Sequence, residues 1–457
     1  MEFQPVVLAA GRGSRMTDLV SQTSKSLLPV GNKPMLWYPI NMLQRAGFEE
    51  AIVVVLSSYQ AETQKLLEMC GVAMRLDIVS IPDQDYMGTA DTLRHIRDKI
   101  KRDVLVVSCD LITDVSLHHI ANMFRTYDAT VTMLLCSQPE TPDTPPAPGP
   151  KTKKRSERDF IGFEDNGNRV LFMTSEADLA DMDDDKIKFR KSLFKKHPNV
   201  RIRSNLTDCH LYLIKKWVVD YLAENRQISS IKGELIPHLV RKQFYKQKKQ
   251  DLPKANESVI SEPVQSDILS YIPEDPMTAT IRDMSTWVDH RGDMEDCCHG
   301  DKIRCYAYTV TGSLCVRTNT IASYCETNKQ IPRYLATLNK GAANIDPSAI
   351  VKGKPQIGSD CLVGESSAIA EKVSIKRSII GRNCVIGEKV KISNSVILDR
   401  VQIADGCSVQ GCIISSNAGL GERCELKDCI VGGAQNLPPD SKFTNEALVA
   451  EEEMLEI

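Results

Sequence analysis

Phe3-Gln-Pro-Val-Val-Leu-Ala-Ala-Gly-Arg-Gly-Ser-Arg-Met16, running on to Lys25-Ser-Leu-Leu-Pro-Val30, is the stretch around which the 457-residue chain is organised. Its apolar run predicts a buried strand, which opens into a loop holding Gly11 and Gly13, with the cations Arg15 and Lys25 beyond it. Glycines let backbone N–H groups approach anionic oxygens closely, and the concave loop they form draws negative charge before any side chain contributes. The pattern therefore predicts a place to hold phosphates. Two glycines alone would mark no more than a tight turn, so the motifs further along the chain must carry the reading.

Moving outward, Met35, Leu36, Ile40 and Leu43 recur at helical spacing, with Pro34 suited to a first turn and Gly47 to a C-terminal cap. Strands are predicted at 51–56, 76–81, 104–108 and 129–135, and helices at 61–69, 92–100 and 117–127. Such alternation predicts an α/β fold, a Rossmann-type parallel sheet covered on both faces, with ligands beyond the carboxyl ends of the strands. Two motifs fall at such ends. Gly88-Thr89-Ala90 precedes a helix, whose N-terminus offers N–H donors to a base or phosphate, and Asp110 follows the strand Val104–Val107, where a carboxylate can hold Mg²⁺ against a triphosphate.

Leu8-Ala-Ala-Gly-x-Gly-Ser-Arg15, Lys25, Pro29-Val30, Gly88-Thr89 and Asp110, in this order, resemble the signature of the sugar nucleotidyltransferases, which join a nucleoside triphosphate to a sugar 1-phosphate. The resemblance implies that in active relatives the loop wraps the triphosphate, the arginine steadies the leaving pyrophosphate and the lysine meets phosphate charge. Such chemistry is mostly positioning and charge neutralisation. This chain departs from the pattern at three places. Ser24 stands where a proline usually precedes the lysine, Thr174-Ser-Glu176-Ala177-Asp178 replaces a Glu-Lys-Pro, and Asp208-Cys209-His210-Leu211-Tyr212 replaces an Asn-x-Gly-x-Tyr. A lost cation together with a misshapen sugar pocket predicts a fold whose chemistry has decayed. Gly11, Gly13, Arg15, Lys25, Gly88, Thr89 and Asp110 are then vestigial nucleotide-binding residues, with no catalytic residue, cofactor or metal expected.

Composition sets outer limits. A net charge of −3 gives no global field to recruit nucleic acid or an anionic membrane. No leader precedes the first strand and no apolar run is long enough to span a bilayer, so the expectation is a cytosolic protein. Fifteen cysteines without a CxxC pair argue for reduced thiols rather than a disulfide framework or zinc module. Proline-rich 138–157, ending in the basic run Lys151–Arg155, reads as a mobile surface loop inside a first domain of residues 1–245. Residues 246–340 read as a linker and connecting region without a motif, and 441–457 as an acidic tail.

Residues 341–440 carry a repeat. Aliphatic residues at 357, 363, 369, 375, 380, 386, 392, 397, 403, 409, 414, 420, 426, 431 and 437 are spaced by sixes and fives, giving three-sided coils of 17 residues with Ile375, Ile392, Val409 and Leu426 in one column. This is the hexapeptide pattern of a left-handed parallel β-helix. Cys361, Cys384, Cys407 and Cys424 share one place in the six-residue side, and Cys412 and Cys429 the equivalent place in the short side, so they read as small ladder residues rather than metal ligands. Many such prisms are acyltransferases with a histidine base, but no histidine follows His299. The prism is expected to be structural, with flat faces suited to subunit docking.

A nucleotidyltransferase-like domain followed by a β-helix is shared by sugar-nucleotide pyrophosphorylases and by two subunit families of the guanine-nucleotide exchange factor that serves translation initiation factor 2. Leu28-Pro-Val-Gly-Asn-Lys-Pro34 with Trp37-Tyr-Pro39, Cys109–Asp114, Glu234–Phe244 and Arg304-Cys-Tyr306 resemble the smaller of these two families nearly end to end. The larger, epsilon type adds a helical-repeat exchange domain that is not expected here. The resemblance implies a non-catalytic partner of the epsilon subunit within a decamer that also holds alpha, beta and delta subunits and binds translation initiation factor 2. The alternative is an active mannose-1-phosphate guanylyltransferase.

Overall fold

In the computed structural model, residues 2–20, 23–83, 87–137, 148–150, 158–165, 167–176, 189, 193–194, 197–244, 267–273, 277, 280, 301–338, 343–353 and 355–449 are described. The apolar run of the opening stretch forms β1 (Phe3–Leu8), an interior strand of a seven-stranded sheet. Beside it lie β2 (Glu50–Leu56), β3 (Arg75–Ile81) and β4 (Asp103–Ser108) in the order β4-β1-β2-β3, all parallel. The β-branched runs of β1, β2 and β4 are buried on both faces, which is why they read as nearly continuous apolar segments.

After β4 come the short β5 (Leu111–Thr113), β6 (Val131–Ser137) and β7 (Leu206–Ile214), of which β7 pairs antiparallel with both β4 and β6. Residues 301–317, expected to belong to a connecting region, instead complete this domain. β8 (Cys305–Val310) adds an edge strand parallel to β6, and β9 (Cys315–Arg317) pairs antiparallel with β5. An apolar strand at a free sheet edge satisfies its backbone by pairing, whatever its distance in sequence. Helices α1 (Trp37–Arg45), α2 (Gln60–Met69), α3 (Thr89–His95), α4 (Leu117–Thr126) and α5 (Lys216–Glu224) fill two apolar layers, one on each face of the sheet.

The repeat folds as three six-stranded parallel sheets wound into one prism. The predicted column is observed: Ile375 pairs with Ile392, Ile392 with Val409 and Val409 with Leu426, each one coil on. Corners turn through left-handed backbone at residues such as Asn383, Asn394 and Asn417 (φ +50 to +62°), where asparagine is tolerated better than most side chains. The coil continues through strands 442–444 and 447–448, inside the stretch expected to be an acidic tail, while 450–457 lie outside the described residues. The ladder cysteines are buried free thiols, as their repeat position requires.

One of the prism's three faces is not free for another subunit. Leu362, Ile379, Val396, Ile413 and Ile430 form an outward-facing ladder that is buried against Met16, Leu28, Val30, Met35, Tyr38, Tyr324 and Ile331 in one continuous core. Helix α6 (Ile321–Leu338) and the turn Pro29–Asn32 form the joint. Tyr324 Oη donates to Pro29 O (2.5 Å), Asn328 Oδ1 accepts from Gly31 N (3.0 Å), and Asn32 Nδ2 donates to Ile380 O (2.9 Å). Gly31 is required there: its φ is +53° and a Cβ would collide with Ile331.

The proline-rich insertion also touches the prism. Of the loop expected to be mobile, 148–150 are described, and Gly149 N donates to Asp428 O (2.8 Å) with Gly149 itself buried; 138–147 and 151–157 lie outside the described residues.

If the ladder joins the domains, Ile413→Asp, which places an unpaired charge at a site with no exposure, should cost at least about 3 kcal/mol in urea unfolding. Val385→Asp, on a half-exposed prism face, should cost less than about 0.5 kcal/mol. Equal losses would refute the joint.

Candidate functional site

The ends of β1, β2 and β3 leave a crevice where an open α/β sheet accepts ligands. Ala10, Gly11, Arg12, Leu56, Ile81, Met87, Gly88 and Ser229 line a cleft of about 280 Å³. Gly11 and Gly88, far apart in sequence, therefore share one wall, and the guanidinium of Arg12 bonds Asp83 O. Gly13 has φ +75°, and Arg15 is exposed on the same loop. The α3 end is less open than the sequence suggests. Ala90 N donates to Ser229 O (2.8 Å), and Thr89 Oγ1 accepts from Ile231 N (2.8 Å), so these groups serve the packing of 229–231. A Cβ on Gly88 would strike Ser229 O.

The other half of the predicted site is closed by its own charges. Asp110 follows β4, with its neighbour Cys109 bonded to Leu8 O (3.0 Å), so it lies beside the loop that β1 feeds. Lys25 Nζ donates to Asp110 Oδ2 at 2.5 Å, and Arg317 Nε donates to Asp110 Oδ1 at 3.2 Å. Thr318 adds two bonds to Asp110 O, from its N and its Oγ1, both 2.9 Å. Asp110 is 1% exposed and Lys25 9%. Burial alone would raise the Asp110 carboxyl, but Arg317 and Lys25 outweigh it and hold the group below the usual carboxylate range. Both carboxylate oxygens thus already carry a cation. A Mg²⁺ ion would have to displace an ammonium and a guanidinium, so the residues present do not fit a metal here.

His210 stands where the resembling pattern has glycine, and the backbone keeps the glycine geometry: φ is +52° within a bulge between Asp208 and Tyr212. Asp208 Oδ1 accepts from His210 N (2.7 Å), and Asp208 Oδ2 accepts from Tyr212 Oη (2.6 Å). The imidazole is packed with Nε2 unbonded among the described residues. Burial first, then Arg317, pushes its pKa well down, so it is neutral. At the lost Glu-Lys-Pro, Thr174 and Ser175 end strand 170–175 of a small antiparallel sheet, while Ala177 and Asp178 lie outside the described residues. Arg317 and Thr318 carry no local sequence signal, because only the β5–β9 pairing brings them to Asp110.

Residues 4–145 match the nucleotidyl transferase family model, and residues 340–442 match the model described as the EIF2B subunit epsilon LbH domain. The translation initiation factor eIF2B subunit gamma of Schizosaccharomyces pombe is 30% identical over 385 residues, 82% of this chain and 74% of that protein. The chain belongs to the eIF2B gamma-subunit family. Its gamma-family relative in Dictyostelium discoideum is 28% identical over 405 residues, covering 83% of this chain and 87% of that protein. The gamma subunit of Caenorhabditis elegans is 32% identical over 247 residues, 53% of this chain and 59% of that protein. The match to this family spans both the sheet domain and the β-helix. Among the described residues, no helix is long and apolar enough to cross a membrane.

Two measurements test this geometry. Arg317→Met should cost about 3 kcal/mol at pH 7, because it breaks a buried ion pair. The depressed Asp110 group stabilises the fold fully above its unfolded pKa near 3.8 and loses that contribution as pH falls toward its folded value, so the deficit should narrow below pH 4. His210, also depressed, favours the fold above the ordinary histidine value of 6.5 and progressively less below it. His238, lowered to about 4 by burial and by Lys242 and Arg241, acts in the same sense. Between pH 6.5 and 5, His210→Asn, which tolerates the left-handed backbone, should therefore lose stability less steeply than the wild type, by up to about 1.4 kcal/mol per pH unit.

Proposed function

We propose that this gamma-family chain is a non-catalytic subunit of the guanine-nucleotide exchange factor that promotes GDP release from translation initiation factor 2. It works in the cytosol with the epsilon subunit, alongside alpha, beta and delta subunits. The observation that carries the non-catalytic reading is the Asp110 carboxylate, bonded by Lys25 on one oxygen and Arg317 on the other. Phosphoryl chemistry needs that carboxylate for a metal and that lysine for phosphate, and here each neutralises the other. His210 in place of a glycine adds to this reading, since an imidazole stands where the resembling pattern leaves room for the sugar.

Exchange catalysis is differential binding of GTPase conformations, to which a scaffold contributes without touching the nucleotide. The joint between sheet domain and prism suits that task, and among the described residues its core takes up one of the prism's three faces, which leaves surface for partners. The cleft at Gly11 and Gly88 supports a second property of the same subunit: it holds a nucleotide or sugar phosphate without turning it over.

The test is an affinity purification of the tagged full chain from eukaryotic cytosol, with mass spectrometry of the retained proteins. Pyrophosphate release from GTP plus mannose 1-phosphate is assayed on the same eluate. Recovery of the four other exchange-factor subunits and of initiation factor 2, without sugar-dependent pyrophosphate, is expected. Turnover that vanishes in Asp110→Ala, with no translation factor retained, would restore the guanylyltransferase.

A further inference from the structure

The parallel strands β1, β2, β3 and β4 begin at the end of the sheet opposite the Gly11–Gly88 cleft, and two hollows open there. The first, of about 250 Å³, lies between the end of α1 and helix α4. Its floor is Phe3, Leu105, Ile120 and Leu213, none more than 7% exposed. The short side chains of Ala46 and Ala121, both partly exposed, leave the space above that floor open. At its edge Arg125 lies over the Phe3 ring (5.6 Å to its centre) and pairs with Glu2 (2.6 Å). Apolar surface gathered in a concave pocket of this size suits one large anchoring side chain.

The second hollow, of about 330 Å³, shares Phe3 and Phe48 with the first. Its lining carries Arg75, Lys99, Lys101 and Arg102 against Glu49 and Glu50, four cations to two carboxylates, all exposed. Arg75 pairs with Glu50 (3.3 Å) and Lys99 with Asp77 (2.7 Å), while Lys101 has no acidic partner among the described residues. Gln4 fastens the 99–101 segment to β1: its Nε2 donates to Lys99 O (2.8 Å) and its Oε1 accepts from Lys101 N (2.9 Å). The sheet topology thus gathers a local cationic excess that the chain's net charge of −3 conceals.

We propose that this end of the sheet docks an acidic segment of a partner protein. A large apolar side chain of that segment sits between α1 and α4, and Asp or Glu residues beside it face Lys101 and Arg102. Burial of the anchor supplies affinity, and the charges supply orientation and a faster encounter. A single-stranded nucleic acid fits less well, since it asks for exposed rings on which bases stack, and here Phe3 is buried and Phe48 only partly exposed. Docking here is independent of whatever the Gly11–Gly88 cleft holds, because neither hollow shares a lining residue with it.

The test is a phage-display selection of random short peptides on the immobilised full chain, followed by fluorescence anisotropy of the enriched peptides. Expected are peptides that place Phe, Trp, Leu or Met within a few positions of several Asp or Glu. Lys101→Glu combined with Arg102→Glu, at two exposed positions, should weaken them about tenfold or more. Raising salt from about 0.1 M to about 0.5 M should weaken wild-type binding in the same sense. Ala121→Trp, which fills the apolar hollow, should also cost about tenfold; if that variant fails to fold, the charge reversal decides alone. Enriched peptides that are neutral or basic, or that bind the charge-reversed chain as tightly as the wild type, would overturn the inference. So would a selection that enriches nothing. Oligouridylate that binds the wild type more tightly than any selected peptide, and is lost on charge reversal, would give the surface to RNA instead.

Discussion

A buried carboxylate cannot stay charged without compensation, and the way Asp110 is compensated organises this molecule. Taking one ionised group out of water costs several kcal/mol unless partners and hydrogen bonds replace the solvent. Here the replacements come from distant segments: Lys25 from the signature loop, and Arg317 with Thr318 beside it from the far end of the sheet domain. The same contact that holds β9 in place therefore closes the site. Lys25 and Arg317 together make the Asp110 carboxylate part of a structural ion cluster.

The chain on either side of that cluster leads straight to the β-helix. Lys25 is followed within a few residues by the Pro29–Asn32 turn, and Arg317 by α6, and both pack on the outward ladder of one prism face. Closure of the site and attachment of the prism are thus built from adjacent residues. This explains why the stretch that reads as a phosphate signature continues so strongly apolar through Leu28, Val30 and Met35: these side chains face a second domain. A strand buried on both faces loses the alternation of a half-exposed one, as the Ile379-Ile380, Ile413-Ile414 and Ile430-Val431 pairs also show.

Local pattern and tertiary context separate cleanly at particular residues. Val104 to Val107 is legible as a strand because a central parallel strand must be apolar throughout, and the seventeen-residue coil because each turn repeats the same small set of inward positions. Cys305–Val310 falls in the stretch read as a connecting region, because its pairing partner is β6, reached across a long intervening stretch, and nothing in its own composition names that edge. The left-handed backbone at His210 is foreshadowed by the glycine of the resembling pattern, but the fate of the imidazole depends on what packs around it.

Periodicity along the chain is enough to set the strand-helix alternation and the register of the prism, and short motifs are enough to place Gly11 and Gly88 at strand ends, where the folded chain brings both to one cleft. The folded molecule adds that Lys25 and Asp110 neutralise each other with Arg317, that one prism face is consumed inside the chain, and that the thiols of Cys209 and Cys315 meet. Coulombic pairing and burial act through space, over a few ångströms between groups as far apart in sequence as Asp110 and Arg317, and no window along the chain contains both partners.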